Sequence, residues 1–205
     1  MKLLLATDFD GTIAAIEQDP GAVKLDDSAE RLFLRFAGHP DLTIALISGR
    51  DLSDLEPRTR AVRAWRSGSH GLEIQAPDGT MIREHEPWSG SLNPIWERAA
   101  EELSVRLERK KFGIAVHWRG VPGVDGGHPL IHAFRQWARQ HKMNVTEGRS
   151  VVEARLPGPS KRDVLQDLTE LTCAERVIYA GDDLTDFPAL EWASTRGRAF
   201  LLQSE

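Results

Sequence analysis

A chain of 205 residues with 40% hydrophobic and 28% charged side chains can bury a core and is neither disordered nor fibrous in composition. Lys plus Arg number 26 against 31 Asp plus Glu, a formal charge of -5, so there is no basic excess to neutralise phosphates and no nucleic acid partner is expected. Thr7, Asp8 and Asp10 cut the apolar start short of a signal-peptide core, no run approaches the ~20 apolar residues that cross a bilayer, and the lone Cys173 has no partner for a disulfide, so a cytoplasmic protein without a membrane partner is expected.

Leu3 to Thr7 is an almost wholly apolar run, as in a strand covered on both faces, and it ends at Asp8. From Ser28 to Phe36, the residues Ala29, Leu32, Phe33 and Phe36 recur at helical spacing until Gly38-His39-Pro40 stops the helix. Leu42 to Ile47 is a second apolar strand, ending at Ser48-Gly49-Arg50. Strand, helix, strand, with polar residues where the strands end, predicts a Rossmann-like, doubly wound α/β core around a parallel sheet. Leu72 to Gln75 and Met81 to Glu84 flank Pro77-Asp78-Gly79, whose Asp-Gly pair favours a hairpin.

The middle of the chain changes character. Pro94 to Leu107 predicts an amphipathic helix, Phe112 to Trp118 a strand, Pro129 to Gln140 a helix, and Asn144 to Glu147 with Val151 to Leu156 a hairpin turning at Gly148. This α-β-α-β-β block reads as an inserted α/β cap over 88–156, between core segments 1–87 and 157–205. The charge run Arg106 to Lys111 is expected to be a solvated helix end, with its cations favoured by the dipole. After Pro157-Gly158-Pro159 come a helix from Lys161 to Leu171, a strand from Arg176 to Ala180, Gly181-Asp182-Asp183, and a last strand from Ala199 to Leu202.

Asp8-Phe9-Asp10-Gly11-Thr12 stands where the first strand leaves the sheet, the place at which open α/β sheets bind ligands. On a strand, residues 8 and 10 share a face, so both carboxylates can look into one crevice. By itself an Asp-x-Asp reads more readily as a solvated acidic turn. Three further segments supply what phosphate chemistry requires. Ser48 offers a hydroxyl donor and Gly49 close approach. Lys161 offers a point charge at a helix N-terminus. Asp182, Asp183 and Asp186 offer hard oxygen ligands suited to Mg²⁺.

Taken in order, these segments resemble the four motifs of the haloacid dehalogenase superfamily, and within it the trehalose-6-phosphate phosphatase family. The resemblance rests on Asp8 to Thr12, Asp19-Pro20, Ile47-Ser48-Gly49-Arg50, Gly68-Ser69-His70-Gly71-Leu72-Glu73, Lys110 before His117 and Arg119, Val152-Glu153, Ser160-Lys161, and Gly181 to Asp186. It runs from residue 3 to about 187. Arg162 stands where the family usually has Gly, Phe187 where it usually has Glu, and the expected C-terminal helix is missing.

The resemblance implies Mg²⁺-dependent hydrolysis of a sugar phosphate, in the first place trehalose 6-phosphate. Asp8 would be the nucleophile and Asp10 the acid and base; Ser48 and Lys161 would steady the phosphoryl oxygens. The metal would be held by Asp8, the Asp10 backbone carbonyl and Asp182, with Asp183 and Asp186 orienting that shell. Thr12, Gly49, Arg50, His70, Lys110, His117, Arg119 and Glu153 are the candidate substrate contacts. His70 could equally be a satisfied structural residue, whereas Lys110 and Arg119 at family spacing favour a functional His117 over a structural one. The remaining histidines show no ligand spacing, and Trp96, Trp118 and Trp137 are simplest as core or cap-surface residues, although an aromatic face could also stack on a sugar ring. Another glycosyl phosphate, such as mannosyl-3-phosphoglycerate, is the alternative substrate. A non-catalytic phosphatase-like domain associated with a glycosyl-phosphate synthase is the alternative of a different class.

Overall fold

The computed structural model describes residues 1–17, 19–90, 94–148 and 150–203, and at 20, 94 and 95 the backbone alone. It divides into two compact units, Met1–His85 with Gly158–Glu205, and Glu86–Pro157. No helix among the described residues is long and apolar enough to cross a membrane.

The larger unit is built on strands β1 (Leu3–Thr7), β2 (Leu42–Ile47), β3 (Trp65–Gly68), β4 (Glu73–Gln75) and β5 (Met81–Glu84) from the first segment, with helices α1 (Asp27–Phe36) and α2 (Leu52–Thr59). The smaller unit contributes α3 (Pro94–Leu103), β6 (Arg106–Lys110), β7 (Gly113–His117), α4 (Pro129–Gln140), β8 (Asn144–Gly148) and β9 (Val151–Arg155). The larger unit then resumes with α5 (Lys161–Thr172), β10 (Arg176–Gly181), α6 (Phe187–Ser194) and β11 (Gly197–Leu201).

In the larger unit the sheet order is β11-β10-β1-β2-β3-β4-β5. The strands from β11 to β3 run parallel, and β4 and β5 turn back antiparallel. Both faces are covered, which is why β1 and β2 are apolar at successive positions rather than alternate ones. Leu4, Ala6, Ala45 and Ile47 pack with Val164, Leu168 and Ala193 of α5 and α6. Ile44 and Leu46 point the other way, against Phe33 of α1 and Leu55 of α2. The parallel register sets Thr7 opposite both Ala180 and Leu46. The residues that follow these three strands, Asp8, Ser48 and Asp182, therefore emerge along one edge of the sheet. Chain order reverses there, between β1 and β10, the position at which doubly wound sheets open a crevice.

The smaller unit is an antiparallel sheet of order β6-β7-β9-β8. Ile114, Val116, Val152 and Ala154 on one face bury against Ile131, Phe134 and Ala138 of α4 and Ala100 of α3. The order along the chain is α-β-β-α-β-β, which corrects the expected α-β-α-β-β. The difference lies in the charge run. The helix predicted to reach Leu107 ends at Leu103, where Ser104 takes a left-handed φ of 58° and its N–H returns to the Glu101 carbonyl. Arg106 to Lys110 is the edge strand β6 and not a helix end. Its charges are those of an edge protected from pairing with another chain, a pattern that hides the period-2 alternation of a strand.

Three further elements leave little trace in the sequence: α2, with Pro57 inside it; β3, with the buried Arg66; and α6. Arg66 lies in β3 because its guanidinium binds the carbonyls of Thr59, Val62 and Ala64 and so closes the end of α2.

The cap sheet depends on glycine at one place. A Cβ at Gly113 would come within 2.1 Å of the Ala154 carbonyl oxygen on the neighbouring strand. We expect Gly113→Ala to destabilise the protein by roughly 1–3 kcal/mol, the usual scale for forcing atoms into a packed site. Chemical denaturation of the full chain would check this, and an unchanged midpoint would show that β7 and β9 can separate at no cost.

Candidate active site

Asp8 is placed by the end of β1, where its N–H donates to the Ala180 carbonyl at 2.8 Å. The next residue, Phe9, is fully buried, and its carbonyl receives the N–H groups of Ile13 and Ala14. This inward anchor turns the chain sharply between Asp8 and Asp10. Gly11 has a left-handed φ of 77°, and a Cβ there would lie 2.0 Å from an oxygen of Asp182, so the turn and the third carboxylate fit only with glycine between them. Thr12 donates to Asp182 across 3.4 Å.

Lys161 opens α5 behind Ser160, whose side chain forms a capping box with Asp163. Its ammonium lies 2.9 Å from Asp8 and 2.8 Å from Asp186, and it is buried. Asp186 is fully buried and also accepts from the Tyr179 hydroxyl at 2.5 Å and from the Asp183 N–H at 3.1 Å. The carboxylates of Asp8, Asp182 and Asp186 lie within 4.8 Å of one another. Asp186, expected only to orient a metal shell, thus stands in the cluster itself. The 3-10 turn Leu184–Asp186 folds it back over Gly181. Asp183 faces solvent and caps that turn through the Leu184 N–H.

Three carboxylates against one ammonium leave negative charge uncompensated in a mostly buried place, and the protonation states show it. Burial pushes Asp8 up to about 7, with Asp186 adding to the shift and Lys161 opposing it. Burial alone would lower Lys161, but Asp8 and Asp186 outweigh it and raise its pKa. Burial and then Asp186 drive the Tyr179 phenol well above its ordinary value. An all-oxygen donor set with excess negative charge fits a hard divalent cation. Asp186 already receives three hydrogen bonds, which leaves Asp8 and Asp182 with the freer oxygens for such an ion.

Asp10 is engaged differently. Arg50 grips it through Nε at 2.8 Å and Nη2 at 2.6 Å, lies over the Phe9 ring, and reaches Asp54 at 2.6 Å. Asp54 in turn binds Arg58, whose Nη1 donates to the Val23 carbonyl at 2.5 Å. Burial would raise Asp54, but the bonds from Arg58 and Arg50 hold it below the ordinary carboxylate range. This chain of charges ties the loop after β1 to α2, and Asp54 and Arg58 carry no motif that would have marked them.

Ser48 is fully buried, its Oγ accepts from the Arg50 N–H at 3.1 Å, and its carbonyl accepts from the His70 N–H at 3.0 Å. A Cβ at Gly49 would lie 2.7 Å from the His70 ring. Ser69, His70 and Gly71 all have positive φ, at 51°, 55° and 102°. Such a strained run persists only where its surroundings enforce it. Here Glu73 accepts from the Leu52 N–H and the Ser69 hydroxyl, and the His70 ring seats against the turn after β2.

In the smaller unit, Lys110 forms a close ion pair with Glu153, and His117 contacts Glu108 at 2.8 Å. Burial and then Arg106 lower the His117 pKa, against the pull of Glu108. Arg119 is exposed beyond the end of β7. Glu108 was not picked out by motif; reading Arg106 to Lys110 as a strand places it on the same face as Lys110.

The larger unit's doubly wound sheet, with carboxylates gathered at the ends of its parallel strands, and the inserted α/β cap are those of the haloacid dehalogenase fold. A haloacid dehalogenase-like hydrolase from Bacteroides thetaiotaomicron superposes over 98% of this chain and 94% of its own, with a TM-score of 0.66 at 15% identity. The crystal structure of a trehalose-6-phosphate phosphatase related protein matches 98% of this chain and 87% of its own, with a TM-score of 0.73 at 22% identity. The trehalose-phosphatase family model matches residues 6–199, and the chain belongs to that family. The trehalose-phosphate phosphatase of Mycobacterium tuberculosis is 35% identical over 204 residues, which cover 93% of this chain and 51% of that protein. The chain thus spans about half the length of that relative.

The raised Asp8 pKa has a measurable consequence. In the metal-free folded state Asp8 keeps a proton that the unfolded chain has lost, so this group's contribution to stability falls as pH rises from 3.8 to about 7. A divalent cation competes with that proton. We expect saturating Mg²⁺ to raise Tm more at about pH 8 than at about pH 5.5. An equal rise at both would exclude binding beside Asp8.

Proposed function

We propose that the chain is a Mg²⁺-dependent phosphomonoesterase acting on a sugar phosphate, trehalose 6-phosphate in the first place. One observation carries the reading: Asp8, buried at the end of β1, is held by Lys161 beside Asp182 and Asp186, within a chain of the trehalose-phosphatase family. A carboxylate so placed is a nucleophile with a cation already beside it.

In this reading an Asp8 oxygen attacks phosphorus, the phosphorus–oxygen ester bond breaks, and the departing sugar oxygen takes a proton from Asp10. Asp10 then removes a proton from a water that attacks the aspartyl-phosphate, releasing phosphate and restoring Asp8. A bound divalent cation supplies positive charge that offsets the repulsion between carboxylate and phosphate. Lys161 and the Ser48 hydroxyl face charge developing on the phosphoryl oxygens. Asp10 must part from Arg50 to deliver its proton, because in the observed geometry it only accepts. Lys110, His117, Arg119 and Glu153 supply hydrogen-bonding groups for sugar hydroxyls.

The test is phosphate release from a panel of sugar phosphates, with Mg²⁺ and after chelation. Trehalose 6-phosphate should be turned over and chelation should abolish it. Faster release from mannosyl-3-phosphoglycerate would transfer the assignment to that substrate, and no release from any would favour the non-catalytic reading. Asp8→Asn is expected to eliminate turnover in a folded protein, and an aspartyl-phosphate should be trappable in the wild type.

Asp10→Asn should slow the phosphorylation step on a sugar phosphate by roughly 10²–10⁴-fold. It should slow p-nitrophenyl phosphate far less, because a phenolate leaves without a proton. Equal losses in single-turnover measurements would remove Asp10 from the role of acid.

A further inference from the structure

Asp10 stands in a grip that opposes the role given to it above. The Arg50 guanidinium holds its carboxylate along one edge, with Nε 2.8 Å from Oδ2 and Nη2 2.6 Å from Oδ1. Two charged donors on one carboxylate favour its anionic form, which has no proton to give. Each turnover by an acid at Asp10 therefore requires the grip to open and to close again. Asp10 is 37% exposed and has room to turn; Arg50 is only 14% exposed and does not follow it into solvent.

The far end of the guanidinium is taken by Asp54. Nη1 of Arg50 donates to Asp54 Oδ2 at 2.6 Å. Asp54 lies in the first turn of α2, where the helix field favours an anion. Its other oxygen, Oδ1, accepts from Arg58 one turn further on, from Nε at 3.0 Å and Nη2 at 2.6 Å. Arg58 is itself fastened to the loop before α1 through the carbonyls of Gly21 and Val23. Asp54 is therefore a carboxylate held in place, with both oxygens engaged.

Two anions thus share the Arg50 cation, on different edges of it. The negative charge of Asp54 offsets part of the Arg50 field felt at Asp10, so the grip is weaker than a lone arginine would give. When Asp10 leaves, Arg50 keeps its bond to Asp54 and its seat over the Phe9 ring. Without Asp54 the attraction of Arg50 would fall more heavily on Asp10, and the acid would be harder to free.

We propose that Asp54, fixed by Arg58, is a positioning residue for the acid step: it anchors Arg50 away from Asp10, so that Asp10 can leave the pair and reach the departing oxygen. This rests on the reading of Asp10 as the acid. Asp54 touches neither substrate nor metal in this scheme, and its effect passes wholly through Arg50 and Asp10.

The experiment compares the full chain as wild type, Asp54→Asn, Asp10→Asn and the double variant. Single-turnover phosphorylation is followed with Mg²⁺ on p-nitrophenyl phosphate and on the sugar phosphate that the wild type turns over fastest. Asp54→Asn keeps the shape and removes the charge. It should lower the maximal rate on the sugar phosphate roughly tenfold, a typical coupling between neighbouring charged groups, with the half-saturating concentration little changed. On p-nitrophenyl phosphate the loss should stay below about twofold, because a phenolate needs no acid. In the Asp10→Asn background, Asp54→Asn should cost nothing more on the sugar phosphate, since the group it acts through is gone. Arg58→Gln, which releases Asp54 from its anchor, should give a loss with the same substrate dependence, and it carries the comparison if Asp54→Asn does not fold. Equal losses on both substrates, or losses that add in full to those of Asp10→Asn, would overturn the proposal in favour of a structural ion pair. Unchanged rates in both Asp54→Asn and Arg58→Gln would overturn it as well. If Asp10→Asn itself slows both substrates equally, or the wild type releases phosphate from no sugar phosphate, the underlying reading fails and takes the proposal with it.

Discussion

Lys161 donates to Asp8 and to Asp186 at once, and the larger unit is arranged so that this double contact forms where water is nearly absent. Three carboxylates so close repel one another, and in a buried place the repulsion is strong. One ammonium offsets part of it. The remainder appears as the raised Asp8 pKa and as a site suited to a divalent cation. The capping box that starts α5 fixes Lys161, and the Tyr179 hydroxyl fixes Asp186, so neither partner can relax away from the other.

The sheet supplies the rest. Parallel register brings the ends of β1, β2 and β10 level, and glycine at 11 allows the loop after β1 to touch Asp182. Around this edge the protein accepts local strain, most plainly in the left-handed run at Ser69 and His70. That run is enforced by Glu73, which receives bonds from Ser69 and from the start of α2. The turn carrying Ser48 and Arg50 is thereby braced from behind. Its arginine reaches Asp10, so the placement of the expected acid depends on residues as distant in sequence as Asp54 and Arg58.

The two units solve different problems. The larger one gathers three carboxylates around one ammonium in a mostly buried place at the ends of its parallel strands. The smaller presents the pairs Lys110–Glu153 and His117–Glu108 on the face of its sheet turned away from α3 and α4.

Much of this was legible in the residue order alone. The apolar runs Leu3 to Thr7 and Leu42 to Ile47 declare strands buried on both faces, because only a covered parallel sheet tolerates such runs. The motifs name Asp8, Asp10, Ser48, Lys161 and Asp182, because phosphate chemistry needs those groups at strand ends and a helix start. The sequence could not show that Arg106 to Lys110 is a strand, since charges on an edge strand mask its alternation. Nor could it show that Asp186 joins the acidic cluster or that Arg50 holds Asp10. Each of those depends on which residues meet across separate elements, and only the folded chain decides that.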